Sequence, residues 1–214
     1  MLPAALRERG RRVKTTPAPF TVVVDTREQD PFDFRGIDDR RGRVFDVATD
    51  RHKLDSGDYS ILGHEDEVAV ERKTKADIYG TIGKGRERFE REIERLSAMP
   101  APAIVIQCDD PSRWKRRAPC DPDGERRAED EKLKVPPCMW PRGECPLLAL
   151  LDPPPHSRVG PKSVVNSLLA WSVRHCIPVW LCPSRRSSEI LSFRLLQHFW
   201  SGREKLARKG PPVG

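Results

Sequence analysis

The sequence predicts an α/β domain, and three observations support this fold class. Short β-branched runs alternate with segments of helical periodicity between residues 20 and 202. The chain has 214 residues, enough for one domain with a sizeable hydrophobic core. Hydrophobic residues make up 37% and charged residues 33%, which is typical of a compact core beneath a heavily solvated surface.

The predicted strands are short runs rich in β-branched and apolar residues. The strongest are Thr21–Asp25 (TVVVD), Glu67–Lys73 (EVAVERK) and Ala103–Gln107 (AIVIQ); the others are Val44–Val47, Tyr59–Leu62 and Pro178–Cys182.

The predicted helices lie between these strands. Thr74 can cap a helix that follows it. Residues 86–98 place Phe89, Ile93 and Leu96 on one helical stripe. Two further helices are predicted at about Ser163–His175 and Ser188–Trp200. Alternating strands and helices of this kind make one α/β domain.

Composition divides the chain into a central domain and flanking segments. Residues 1–19 have the arginines and prolines of a flexible basic arm, and residues 203–214 form a basic tail. The domain covers residues 20–202. Within it, residues 109–160 hold ten of the 21 prolines without sustained periodicity, which predicts an irregular insertion.

Charge and cysteine content narrow the class of protein. The net charge of +7 favours a polyanionic partner such as nucleic acid. No apolar run has the length of a signal peptide or a membrane helix, so we expect a soluble intracellular protein with no membrane partner. Its six cysteines then belong to a reducing compartment.

The cysteines of the insertion could also bind a structural zinc ion, although the sequence supports this more weakly. The insertion contains no Cys-x-x-Cys pair to anchor a finger. Cys108, Cys176 and Cys182 lie at the ends of apolar segments and are predicted to be small core residues. The only candidate zinc ligands are Cys120, Cys138, Cys145 and His156.

Three acidic residues and one lysine form the candidate site. Asp25 ends a strand, and Asp58 follows Gly57 at the start of another. Glu71 and Lys73 are two apart on a strand, so their side chains point to the same face while Arg72 points away. Carboxylates bind Mg²⁺ or Mn²⁺, and a nearby lysine stabilises charge on a phosphate during hydrolysis. The alternative for these residues is a solvated, charged strand edge.

The longer motif is more specific. Asp25-Thr26-Arg27-Glu28 precedes Gly57-Asp58, and Glu71-Arg72-Lys73 is followed three residues later by Asp77. This pattern resembles the nuclease domain of the XPF family, whose hallmark is Gly-Asp, a variable gap and Glu-Arg-Lys-x-x-x-Asp. The resemblance is strong over about residues 20–108 and looser over 160–200.

The resemblance implies a restriction-endonuclease-like fold, a mixed central sheet flanked by helices. It implies that Asp25, Asp58 and Glu71 are metal ligands or their close supports, with Lys73 as the catalytic lysine. It also implies that Arg27 and Arg72 contact phosphate or brace the carboxylates. Asp77 would support this network, and Arg86 would contact the scissile strand.

The expected activity is Mg²⁺- or Mn²⁺-dependent endonucleolytic cleavage of branched or partly single-stranded DNA, such as flaps and forks. One alternative is a catalytically silent DNA-binding scaffold of the same fold. Another is a nicking, junction-cleaving or restriction-like nuclease. We also expect a homodimer, formed through apolar surface on the last two helices that includes Phe199 and Trp200.

Overall fold

A central sheet with helices on both faces dominates the computed structural model, which describes residues 14–39, 41–108 and 146–209. The strands are β1 (Thr15–Pro17), β2 (Val22–Asp25), β3 (Val44–Asp46), β4 (Thr49–His52), β5 (Tyr59–Ile61), β6 (Val68–Thr74), β7 (Ala101–Gln107) and β8 (Val179–Cys182). The helices are α1 (Lys75–Gly83), α2 (Arg86–Ser97), α3 (Pro146–Leu151), α4 (Pro161–His175) and α5 (Arg185–Lys209).

The central sheet is mixed and has the strand order β4-β2-β5-β6-β7-β8. Strand β5 runs antiparallel to both of its neighbours, β2 and β6. The pairs β2–β4, β6–β7 and β7–β8 are parallel. Strands β1 and β3 pair separately as a small parallel sheet. The predicted mixed sheet flanked by helices is therefore confirmed.

Alternate residues of the central strands enter two separate hydrophobic clusters. Ala69 and Ile104 pack with residues of α1, α2, α3 and α4. Val70 and Val105, one position further along each strand, pack against α5 on the other face. Successive side chains of a strand point to opposite faces, so a sheet buried on both faces sends alternate residues into different clusters. We call the first side the α1/α2 face and the second the α5 face.

Several elements differ from the sequence-based expectation. Thr15–Pro17, within the predicted flexible arm, pairs with β3. Thr49–His52 forms an edge strand, and Pro146–Leu151, within the predicted irregular insertion, is helical. The last helix extends through Lys209, into the predicted basic tail. These segments are short, polar or exposed, so hydrophobic periodicity does not mark them.

The cysteine predictions have different outcomes. Cys108 and Cys182 are buried in the core, as expected. The expectation for Cys176 is wrong, because it is exposed and adopts a left-handed conformation (φ 53°) where α4 ends. The described residues do not include most of the basic arm or residues 109–145 of the insertion, and therefore not Cys120, Cys138 and Cys145.

Across the described ranges, no helix combines the length and apolar character that crossing a bilayer requires.

Candidate active site

A tight turn places Asp58 against the end of the central sheet. Gly57 has φ 76°, and a Cβ atom there would lie 2.9 Å from the Cβ of Ala69. Only glycine fits both the backbone conformation and the space. The backbone N–H of Asp58 donates to Val70 O at 2.9 Å, and Asp25 N donates to Asp58 O at 2.9 Å. The turn thus holds Asp58 between β2 and β6.

The Glu-Arg-Lys segment of β6 divides its side chains between the two faces of the sheet. Glu71 and Lys73 lie on the α1/α2 face, where the Lys73 ammonium bonds to Glu71 Oε1 and lies 5.1 Å from the ring centroid of Phe89. Arg72 lies on the α5 face, 4.7 Å from the ring centroid of Phe32. The predicted separation of Arg72 from its two neighbours is confirmed.

The partly buried Asp58 and the buried Glu71 are called the acidic pair below. Burial raises the pKa of Asp58 well above its ordinary value, and the charge of Glu71 raises it further. Burial also raises the pKa of Glu71, although the Lys73 ammonium offsets part of the effect. Asp58 Oδ2 accepts a hydrogen bond from the backbone N–H of Arg72 at 2.7 Å. Ionisation of both carboxylates together is therefore costly.

Lys73 supplies the positive charge beside the acidic pair. Burial alone would lower the pKa of Lys73, but the charge and hydrogen bond of Glu71 outweigh it, and the pKa is raised. The side chain of Lys73 remains 21% exposed. A protonated ammonium therefore lies beside the carboxylates and within reach of a bound molecule.

The Asp25 carboxylate is engaged by its own surroundings. Its Oδ1 accepts from Arg27 N at 2.6 Å and from Arg27 Nε at 2.8 Å. Its Oδ2 accepts from Arg27 Nη2 at 2.9 Å and from Leu54 N at 2.7 Å. Burial alone would raise the pKa of Asp25, but these hydrogen bonds outweigh it and hold the pKa below 3.8. Asp25 thus anchors Arg27, whose side chain remains 57% exposed.

Arg72 braces the site from the α5 face. Its Nε and Nη2 donate to Gln107 Oε1 at 3.2 and 2.7 Å, and its Nη1 donates to Asp30 O at 2.8 Å. The Glu28 carboxylate lies 3.5 Å away. The Arg72 side chain thus braces the Glu28–Asp30 loop. The acidic pair is contacted by the backbone N–H of Arg72, which donates to Asp58.

Asp77 and Arg86 take part in local structure. Asp77 Oδ2 accepts from the backbone N of Thr74 at 3.2 Å, and Asp77 N donates back to Thr74 Oγ1 at 3.2 Å. This is a capping box at the start of α1, so the predicted cap is confirmed. Arg86 pairs with Glu90 and Ser167, and its guanidinium carbon lies 5.3 Å from the ring centroid of Trp171. The structure directs Arg86 toward α4 and does not bring it to the acidic pair.

An open cleft of about 300 Å³ lies beside these groups. One wall is the loop after β2, and another is the end of β6 with the start of α1. The contribution of the loop beyond Arg27 was not predicted from the sequence. The glutamate that follows Arg27 in the motif is the signal that could have indicated it. The lining residues are Arg27, Glu28, Gln29, Asp30, Asp58, Arg72, Lys73, Thr74 and Asp77.

The three carboxylates predicted as metal ligands or their close supports differ in how they are engaged. Across residues 14–39, 41–108 and 146–209, no group of three or more His, Cys, Asp or Glu side chains is arranged to hold a metal ion. Asp25 already accepts four hydrogen bonds. The acidic pair nevertheless fits a hard divalent cation, because Mg²⁺ commonly binds one or two carboxylates and completes its shell with water and substrate phosphate.

Comparison with known proteins identifies related sequences and folds. The model of the ERCC4 domain family matches residues 24–193. Among solved structures, XPF from Aeropyrum pernix in complex with DNA is 16% identical with a TM-score of 0.47; the match covers 86% of this chain and 66% of that one. XPF from Aeropyrum pernix without DNA is 18% identical with a TM-score of 0.47, covering 91% and 75%. No curated protein matches significantly.

Proposed function

This chain belongs to the ERCC4 domain family, and on that premise we propose that it is a DNA endonuclease of the XPF type that requires Mg²⁺ or Mn²⁺. The observation that carries the proposal is the acidic pair beside Lys73, with Asp58 and Lys73 both lining the cleft. On a solvated strand edge, burial would not raise the pKa of both carboxylates. Strongly perturbed carboxylates in a cleft are typical of functional sites.

The metal requirement rests on the chemistry of the acidic pair. Asp58 and Glu71 would supply hard oxygen atoms to a divalent cation, whose charge would offset the burial and the repulsion that raise the pKa of Asp58. When bound, such an ion would polarise the phosphate and lower the pKa of water. Both carboxylates must lose their protons to hold it, so binding favours the ionised pair.

The remaining residues of the site have distinct roles in the proposal. The protonated Lys73 ammonium stabilises negative charge on the phosphate during attack by water. The Phe89 ring and Glu71 fix the direction of that ammonium. The exposed guanidinium of Arg27, anchored by Asp25, contacts a neighbouring phosphate. Asp25 serves as the support of Arg27 rather than as a metal ligand.

The proposed substrate is branched or partly single-stranded DNA, such as a flap or a fork. The net charge of +7 suits a polyanion, and the preference for branches is what the XPF motif implies. The proposed products are a 5′-phosphate and a 3′-hydroxyl.

A cleavage panel tests the proposal. Labelled flap, fork, four-way junction and plain duplex DNA are incubated with Mg²⁺, with Mn²⁺ and with a chelator. We expect cleavage of flap or fork substrates that the chelator abolishes and that Asp58→Ala lacks. Cleavage of another substrate in preference would support the nicking, junction or restriction-like alternative. Metal-dependent binding without cleavage in every arm would support the silent scaffold and contradict the enzyme.

The homodimer remains a prediction, and the surface proposed for it needs revision. Phe199 and Trp200 are half-buried and pack edge-on against His64. Among the described residues, the large exposed apolar side chains of the last two helices are Leu169 and Val173 on α4 and Leu206 on α5, and Trp180 is exposed on the edge strand β8. A sedimentation mass of two chains at micromolar concentration supports a dimer, and a mass of one chain contradicts it.

A further inference from the structure

Glu92 on helix α2 makes a contact that the motif does not include. The helix buries Phe89, Ile93 and Leu96 against the sheet, and Glu92 lies beside this stripe with only 18% of its side chain exposed. Its Oε1 accepts a hydrogen bond from the backbone N–H of Gly57 at 3.1 Å. Its Oε2 pairs with Arg95, one turn further along the same helix. Glu92 therefore ties α2 to the turn that carries Asp58.

The contact acts on a turn that has little freedom of its own. Gly57 already lies against β6, since a Cβ atom would meet Ala69 at 2.9 Å and Val70 O at 3.3 Å. Strand β6 holds the turn through Val70 O, and Glu92 holds it from helix α2. Without Glu92, the buried Gly57 N–H would lose the partner that the structure gives it, which is unfavourable.

Helix α2 also reaches the other half of the site. Phe89, one turn before Glu92, lies beneath the Lys73 ammonium. The charge of Glu92 also raises the pKa of both Glu71 and Arg27. One rigid helix therefore contacts the Gly57–Asp58 turn and the Glu71–Lys73 segment together.

We propose that Glu92 is a positioning residue, which fixes the Gly57–Asp58 turn by its hydrogen bond to the Gly57 N–H and thereby presents Asp58 beside Glu71. Its effect on cleavage rests on the proposed function, whereas its effect on the turn does not. Supporting contacts of this kind typically change activity by about 10- to 100-fold when removed.

Two substitutions and one control separate positioning from a general effect on stability. Glu92→Ala removes the acceptor, Glu92→Gln keeps one oxygen acceptor without the charge, and Glu94→Ala removes an exposed carboxylate from the same helix. We expect Glu92→Ala to lower kcat about tenfold or more with KM for DNA almost unchanged. Glu92→Gln should recover much of kcat, and Glu94→Ala should match the wild type.

Amide hydrogen exchange provides a readout that does not depend on activity. With isotopically labelled glycine, the Gly57 amide should exchange roughly five- to tenfold faster in Glu92→Ala, as loss of one hydrogen bond implies. The other glycine amides should be unaffected.

Each outcome decides the inference. Unchanged Gly57 exchange in Glu92→Ala overturns it, as does faster exchange with an unchanged kcat. If the wild type cleaves no DNA in the substrate panel, the proposed function fails, and the exchange rate of Gly57 alone then decides whether Glu92 fixes the turn.

Discussion

Two acidic regions lie side by side on neighbouring strands of this protein, and their surroundings differ in kind. The Asp25 corner, meaning Asp25 with Arg27 and Leu54, surrounds one carboxylate with four hydrogen bonds that lower its pKa. In the acidic pair, burial raises the pKa of both carboxylates. A carboxylate with every oxygen engaged stabilises the fold, whereas the Lys73 ammonium offsets only part of the cost of burying the acidic pair.

The largest expected effect comes from neutralising the acidic pair. Asp58→Asn should lower the cleavage rate by about 100-fold or more, because it weakens the electrostatic contacts that the transition state needs. In metal-free buffer at pH 7 the same variant should be as stable as the wild type or more stable, since the raised pKa of Asp58 means that its charge opposes folding. Single-turnover cleavage and denaturant unfolding measure the two quantities.

The pH dependence of the Asp58→Asn variant provides the control. Its stability advantage should shrink as the pH falls through the raised folded pKa of Asp58, because the wild-type group then becomes neutral as well. A variant that cleaves like the wild type, or that is markedly less stable at neutral pH, would contradict this account of the pair.

The opposite pattern is expected for the Asp25 corner. Asp25→Asn should reduce the free energy of unfolding by about 1–3 kcal/mol, because the buried backbone N–H of Leu54 and the guanidinium of Arg27 lose a charged acceptor. The folded pKa of Asp25 is lowered, so this stabilisation is present above about pH 3.8 and is lost as the pH falls through the folded value. Denaturant titrations from neutral to acid pH measure the difference.

A constant difference between Asp25→Asn and wild type at every pH would show that the charge of Asp25 is not what stabilises this corner. Equal stability of the two proteins at pH 7 would remove the contrast with the acidic pair altogether.

The smallest effect is expected at the capping box of α1. Asp77→Ala should lower the free energy of unfolding by about 1 kcal/mol or less, since it removes one reciprocal cap at an exposed helix start. Thr74→Ala removes the other half of the box. The double variant should therefore lose less than the sum of the two single variants in thermal unfolding. Additive losses would show that the two side chains act independently.

The sequence predicted those parts of the fold that local patterns determine. The buried strand at Thr21–Asp25 and the strand at Glu67–Lys73 were recognisable because apolar and β-branched residues dominate them. The period of two also predicted that Glu71 and Lys73 share a face. The edge strand Thr49–His52 is polar and exposed, so no hydrophobic pattern marks it.

The site was harder to predict where contacts join distant residues. Asp25 is engaged partly by Leu54, and no local pattern indicates that the two meet. Arg86 was expected near the scissile strand, but the packing of α2 on α4 directs it toward Ser167. Glu92 was not predicted either, because its partner Gly57 is also distant in the sequence. Its one signal was an acidic residue one turn after Phe89, beside the apolar stripe of its helix.

The proposed function requires Asp58 and Glu71 to bind one divalent cation. Anomalous diffraction from crystals soaked in Mn²⁺ tests this requirement, because the signal locates the metal without reference to activity. We predict one strong peak roughly 2 Å from a carboxylate oxygen of each residue, with Asp25 still bonded to Arg27. A peak that contacts neither residue of the pair, or no peak at millimolar Mn²⁺, would contradict the account.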